Sequence, residues 1–264
     1  MCDTCGCGHN HVSLQKPGEH NHTHVHGHGH HEHHHDHQEE NHHHEHAHGT
    51  EVTVNLEQDV LSKNQLLAER NRGYFEAKNI KALNLVSSPG SGKTTLLEKT
   101  IQHFADRLKL YVVLSDQQTI NHAERIHKAG AESIQINTGK GCHLDAEMVN
   151  QAIKNLQPVN DSFLFIENVG NLVCPAMFDL GEQQRVVIIS VTEGDDKPAK
   201  YPFMFESSDI CIINKVDLLP YVDFDVNKVK NLALQTNSNL KFIELSCKTG
   251  DGLQSWFDKL TIKS

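Results

Sequence analysis

Seven short apolar runs rich in β-branched residues recur along this chain, at 82–87, 110–114, 133–136, 163–166, 186–191, 210–213 and 242–245. Helical patterns lie between several of them, at 93–107, 119–129, 144–156, 226–235 and 253–260. A strand that is apolar throughout has both faces covered, and strands separated by helices need crossover connections. The expected fold class is therefore α/β, a mostly parallel sheet of about seven strands with helices on both faces. A further helix is expected at 56–78, where Val60, Leu67 and Tyr74 repeat at heptad spacing beside Leu61 and Phe75.

The alternation starts only after an abrupt change in composition. Of 22 histidines, 18 fall between His9 and His48, and the only large apolar residues among them are Val12, Leu14 and Val25. Such a segment cannot bury enough surface to offset the entropy of ordering. Residues 1–50 are read as a metal-binding, Cys- and His-rich disordered tail, and 51–264 as one domain. The net charge of −10 and the lack of any basic cluster argue against a nucleic-acid partner. No apolar run approaches the length of a membrane span, and the polar start is not a signal peptide. The seven cysteines, three of them crowded at the start, suit metal better than disulfides, so a cytoplasmic, reducing location is expected.

The first apolar run ends in Ser87-Ser88-Pro89-Gly90-Ser91-Gly92-Lys93-Thr94-Thr95 and enters a helix. Glycines here let backbone N–H groups converge on phosphate at a helix N-terminus that already favours anions. The expected fold is thus that of a P-loop NTPase. Lys93 should reach the β- and γ-phosphates, and the Thr94 hydroxyl should ligate Mg2+. Ser87 stands where the motif usually opens with glycine, while Gly90 and Gly92 keep its tight part. The sixth run ends in Asn214-Lys215-Val216-Asp217. A carboxylate at Asp217 can accept from guanine N1 and N2 while the Lys215 stem lies against the base, and adenine offers no such donor pair. Ser246-Cys247-Lys248-Thr249-Gly250, after the last run, resembles a guanine-contacting loop. The nucleotide is therefore GTP or GDP.

Two acids end strands on the edge that faces the phosphate loop: Asp116 after the second run and Glu167 after the fourth. With Thr94, Asp116 is the expected Mg2+ ligand, and either acid could orient the attacking water. Gly170 could donate its N–H to the γ-phosphate and swing when that group leaves. No glutamine stands ready to position water, so hydrolysis is expected to be slow and regulatory, with Lys93, Asp116 and Glu167 as the catalytic set.

Three features point to transition metal. Cys2, Cys5 and Cys7 pack three thiols into a short turn containing Gly6, a set that thiophilic ions favour. The histidine tail reads as a multi-site imidazole buffer of low selectivity. Inside the domain, Cys142 and His143 follow the third run and Cys174 follows the fourth, an N/S set left open or completed by a second subunit. Cys211, within an apolar run, reads as inert.

In their order, these fragments resemble the HypB-type hydrogenase maturation GTPases of the SIMIBI class of P-loop GTPases. The likeness extends through Glu167 to Leu172, Cys174-Pro175 and Glu193-Gly194-Asp195-Asp196-Lys197-Pro198. The resemblance implies a GTPase metallochaperone that delivers nickel to nickel–iron hydrogenase. A HypA-type zinc-containing partner, the hydrogenase large subunit as acceptor and a GTP-dependent homodimer come with it. It also implies a tight Ni2+ or Zn2+ site at Cys2, Cys5 and Cys7. A weaker, GTP-linked site is implied at Cys142, His143 and Cys174. A urease-type nickel GTPase is the sibling alternative, disfavoured by the N-terminal cysteines; a nickel or zinc storage protein is the alternative from another class.

Overall fold

In the computed structural model of the chain, residues 13–15, 49–116, 121–139 and 141–261 are described. In order they form β1 (Ser13–Gln15), α1 (Gly49–Ala77), β2 (Lys81–Ser87), α2 (Lys93–Phe104), β3 (Leu110–Asp116), α3 (Asn121–Ala129), β4 (Glu132–Asn137) and α4 (Ala146–Leu156). Then follow β5 (Phe163–Gly170), β6 (Gln184–Ser190), α5 (Lys197–Lys200), α6 (Pro202–Glu206), β7 (Ile210–Asn214), α7 (Val226–Thr236), β8 (Lys241–Glu244) and α8 (Leu253–Thr261). Short 3-10 turns lie at Cys174–Met177 and Val216–Tyr221.

All seven expected runs are strands, and all seven pair in parallel in the order β4-β3-β5-β2-β6-β7-β8. One strand was not expected. β1 adds an antiparallel edge to β4, with Leu14 opposite Ile136, inside the segment read as wholly disordered. Cys2, Cys5, Cys7 and the histidines from His9 to His48 lie outside the described residues.

Side-chain alternation along the strands fills two faces. Leu110, Val112 and Leu114 of β3 point with Leu83 and Leu85 toward α2, α3 and α8. Tyr111 and Val113 point the other way, toward Phe75 of α1 and Val149, Ala152 and Ile153 of α4. Beyond β2, the second face is completed by Met204 and Phe205 of α6 with Val229 and Ala233 of α7. Among the described residues no helix is long and apolar enough to cross a membrane.

The contact face of α1 differs from the expected stripe. Val60 and Leu61 are exposed, whereas Asn64, Ala68, Asn71 and Phe75 are buried. Two asparagines take core positions because α1 grips backbone rather than apolar side chains. Asn64 donates to Asp179 O at 2.8 Å and accepts Ala146 N–H at 2.8 Å. Asn71 donates to Ala146 O at 2.9 Å and Leu180 O at 3.0 Å. Each buried amide left unmatched would cost about 1–3 kcal/mol, so these bonds fix how α1 seats on the first turn of α4.

Candidate functional site

The phosphate-loop segment leaves β2 at the sheet centre. Gly90 and Gly92 take φ of 74° and 96°, the left-handed region that glycine adopts without strain. Neighbouring groups hold the loop. Asn214 Nδ2 donates to Ser91 O at 2.8 Å, and Lys215 Nζ donates to Gly90 O at 2.7 Å. A Cβ on Gly92 would collide with the Asn214 amide, so glycine there lets β7 press against the loop. Lys93 is buried; its Nζ donates to Asn168 O at 2.5 Å and Ser87 Oγ at 3.3 Å. Thr94 and Thr95 open α2.

Thr94 Oγ1 donates to Glu167 Oε1 at 2.6 Å. The other oxygen, Oε2, is buried with no hydrogen-bond partner. An orphaned carboxylate oxygen beside a threonine hydroxyl, next to a phosphate-loop lysine, is a donor set suited to Mg2+, which takes oxygen ligands. Ser115 Oγ bonds Glu167 O at 2.8 Å, which seats the end of β5 against β3. Asp116 ends β3 on the same edge, and its side chain lies outside the described set. Gly170 packs its Cα against Pro89 so tightly that a Cβ would sit 3.2 Å from Pro89 Cα.

On the far side of β2, Asp217 and Ser246 meet: Ser246 Oγ donates to Asp217 Oδ1 at 2.6 Å and accepts Lys248 N–H at 3.2 Å. Lys215 takes a left-handed φ of 62°, which turns its stem across the loop. Asn214 Oδ1 accepts Lys215 N–H at 2.7 Å and Cys247 N–H at 3.3 Å, so its amide braces three loops together. Burial pushes the Cys247 thiol up to about 11 and the Cys211 thiol further still, leaving both un-ionised at neutral pH.

On the near side, the segments after β4 and β5 converge. The ligand atoms of Cys142, His143 and Cys174 lie within 4.8 Å of one another. The sulfurs of Cys142 and Cys174 are 2.8 Å apart, and Cys142 Sγ is 3.7 Å from His143 Nδ1. Both His143 and Cys174 are buried, and His143 stacks on Phe178 with ring centroids 3.9 Å apart. Burial pushes the imidazole down from its usual value against a smaller upward pull from Asp145, which favours the neutral, metal-ligating form. The approach is stapled by Gly141 N–H on Thr138 O at 2.8 Å and by Asn137 Oδ1 on Gly139 N–H at 2.9 Å.

Sequence reasoning missed a polar cluster behind both halves. Asn168 Oδ1 accepts Leu144 N–H at 3.2 Å and Val169 N–H at 2.9 Å, while its Nδ2 reaches Asn84 Oδ1 at 3.4 Å. Asn84 donates to Glu182 Oε1 at 3.0 Å, and Arg185 Nη2 reaches the same oxygen at 2.7 Å. The readable signal was Asn84 itself, a lone amide in an otherwise apolar run. Lys197, quoted above only for its motif, donates to Ser88 Oγ at 3.2 Å and pairs with Glu193 at 3.2 Å. A cavity of about 510 Å3 lies at the opposite, amino ends of β6 to β8. Its polar lining is spent on the fold: Asp209 accepts Arg185 N–H at 2.7 Å, and Asn237 caps Ser208 O at 2.8 Å.

A family profile described as "CobW/HypB/UreG, nucleotide-binding domain" matches residues 81–244. A protein named hydrogenase maturation factor HypB, from Rhizobium leguminosarum bv. viciae, is 53% identical over 214 residues, 81% of this chain and 72% of that one. The crystal structure of a hydrogenase maturation factor HypB from Archaeoglobus fulgidus superposes with a TM-score of 0.71 at 43% identity, covering 75% of this chain and 97% of that one. HypB from Helicobacter pylori, solved in complex with nickel, gives a TM-score of 0.70 at 39% identity, covering 75% of this chain and 93% of that one.

Proposed function

Since this chain belongs to the CobW/HypB/UreG family, and within it to the HypB hydrogenase maturation factors, we propose that it is a GTPase that carries nickel to a nickel–iron hydrogenase. The observation that carries this reading is the Cys142, His143 and Cys174 triad, with ligand atoms within 4.8 Å, on the same sheet edge as the phosphate loop. A GTP hydrolase without a cargo has no use for a largely buried N/S triad there.

In this reading the N–H groups of Gly90 to Thr95 cradle the phosphates and Lys93 spans the β- and γ-groups. Thr94 and Glu167 would hold Mg2+, with Asp116 facing it from the end of β3. The ion, when bound, neutralises charge shared by the β- and γ-oxygens. The Gly170 N–H meets the γ-phosphate, and Lys93, Asp116 and Glu167 form the catalytic set, with slow turnover suited to a switch. Asp217 accepts from guanine N1 and N2 beside the Lys215 stem, with Asn214, Ser246 and Lys248 fixing the surrounding loops. Cys142, His143 and Cys174 offer two thiolates and a neutral imidazole to Ni2+ or Zn2+. Cys2, Cys5 and Cys7 form the tighter site, and the tail of residues 1–50 buffers metal ahead of the domain at 51–264. A cytoplasmic homodimer, closed by GTP, receives or passes nickel with a HypA-type partner and gives it to the hydrogenase large subunit.

Nickel stoichiometry and GTP turnover, measured on the full chain and on a Cys142→Ser/Cys174→Ser variant, test the reading. One fewer thiolate-bound nickel in the variant, with GTP preferred over ATP by both proteins, is expected. Equal turnover of ATP, or unchanged thiolate-bound nickel, overturns it.

A further inference from the structure

Asn168 touches both halves of the site with different atoms. Its main-chain oxygen receives the Lys93 ammonium at 2.5 Å. Its side-chain Oδ1 receives Leu144 N–H at 3.2 Å, the residue directly after His143. The orientation of that amide is dictated from behind. Glu182 is an acceptor-only carboxylate paired with buried Arg185, so Asn84 must turn its Nδ2 to Glu182 and its Oδ1 to Asn168. Asn84 Oδ1 in turn demands the Nδ2 of Asn168 at 3.4 Å, which leaves the Asn168 Oδ1 facing Leu144 and Val169. Arg185, Glu182, Asn84 and Asn168 thus form one line of donors and acceptors with a single consistent polarity, ending on the backbone that carries His143.

We propose that Asn168 is the positioning residue that links the nucleotide's phosphate to the Cys142–His143 loop, through Lys93 on its main chain and Leu144 on its side chain. This rests on the nickel-carrier reading above and adds the residue through which the two sites communicate. A triphosphate competes with the Asn168 carbonyl for the Lys93 ammonium. When the phosphate draws the ammonium, the peptide after Asn168 loses a charged partner that fixes its tilt, and Oδ1 shifts with it. Leu144 N–H is the first group to feel that shift, and His143 the second. The same strand end continues through Gly170 toward Cys174, so the triad is addressed from both of its loops.

Two measurements test this, both on the full-length chain. Hydrogen exchange of the wild type, resolved to the Leu144 amide, is compared without nucleotide and with a non-hydrolysable GTP analogue. Exchange at Leu144 should differ between the two states, and equal protection overturns the proposal. In the second, Cys2, Cys5 and Cys7 are replaced by serine, so that thiolate-to-nickel absorption reports Cys142 and Cys174 although the histidines still bind nickel. The nickel midpoint is read in the same two states. The background protein should show a ratio within about 5- to 150-fold, typical of linked sites. Asn168→Ala should bring that ratio close to one, and Asn168→Asp, which keeps an oxygen for Leu144 N–H, should retain most of it. A structural role alone would raise both midpoints together and leave their ratio unchanged, which overturns the proposal, as does loss of the ratio in Asn168→Asp. A background protein with no ratio, but with Leu144 exchange that follows the nucleotide, sinks the nickel-carrier reading and leaves the link standing.

Discussion

Thr94 Oγ1 and Glu167 Oε1 are hydrogen-bonded at 2.6 Å, and the companion oxygen Glu167 Oε2 is buried with no hydrogen-bond partner. A carboxylate half-satisfied in a buried place is costly unless a cation completes it. Glu167→Gln keeps an acceptor for Thr94 but removes the charge. Turnover of GTP should fall on the order of 10²- to 10³-fold, as when one preorganised electrostatic group is lost. The Mg2+ midpoint for hydrolysis should rise with it. Phosphate release under a Mg2+ titration measures both, and an unmoved midpoint would assign the ion to another carboxylate.

Asp217 is oriented by Ser246 at 2.6 Å, one of its oxygens engaged and the other free for a base. ATP should be rejected by roughly 10³-fold or more, since it would leave that acceptor unmatched. Asp217→Asn should turn preference toward xanthosine triphosphate. Competition binding with a fluorescent guanine nucleotide decides it, and equal displacement by ATP and GTP in the wild type would remove Asp217 from the base site.

The triad predicts a spectroscopic result with sulfur counted out one atom at a time. In the full chain with Cys2, Cys5 and Cys7 changed to serine, nickel should still give a thiolate charge-transfer band. Cys142→Ser or Cys174→Ser should weaken that band, and both together should abolish it. Cys211 and Cys247 cannot substitute, because burial raises both thiols. A band that survives the double change would place the sulfur ligands elsewhere.

Much of this fold could be read ahead of the structure, because the inner strands β2, β3, β5, β6 and β7 are largely apolar and buried on both faces. The segments 87–95, 214–217 and 246–250 stood out in the sequence for a related reason: each is contiguous. What escaped was non-contiguous. Asn84 and Glu182 stand 98 positions apart, and nothing local marks them as partners. The face of α1 was misread because Asn64 and Asn71 bind backbone, so polar residues hold positions where an apolar stripe was sought. β1 spans only three residues, and its pairing to β4 rests on backbone bonds that composition does not report.

The Glu182–Arg185 pair yields a stability prediction with a definite pH sign. Its side chains are 6% and 7% exposed. Burial pushes the Glu182 carboxyl up, but Arg185, Asn84 and the Leu180 N–H outweigh it and hold it below the ordinary range. A depressed carboxyl contributes stability above its unfolded value, about 4.3, and loses it as pH falls through the folded value. Glu182→Gln leaves Arg185 buried without its counter-charge and should cost about 3–5 kcal/mol at neutral pH. Urea unfolding should show that gap constant between about pH 7 and 5 and narrowing below about pH 4. A gap that widens in acid would reverse the sign assigned here.

The order of strands sets the loops proposed to face the base, after β7 and β8, on one flank of β2 and the cysteine- and histidine-bearing loops, after β4 and β5, on the other. Asp217 and His143 share no hydrogen-bond partner: Asp217 accepts from Ser246, while His143 meets Cys142 and Phe178. Asp217→Asn and His143→Ala should therefore add in unfolding free energy to within about 0.3–0.5 kcal/mol, as for sites without shared partners. The arrangement divides the labour of the edge into a lock that recognises the fuel and a hand that holds the freight. Two loops beyond β4 and β5 can be recast for a different ion without retouching the lock.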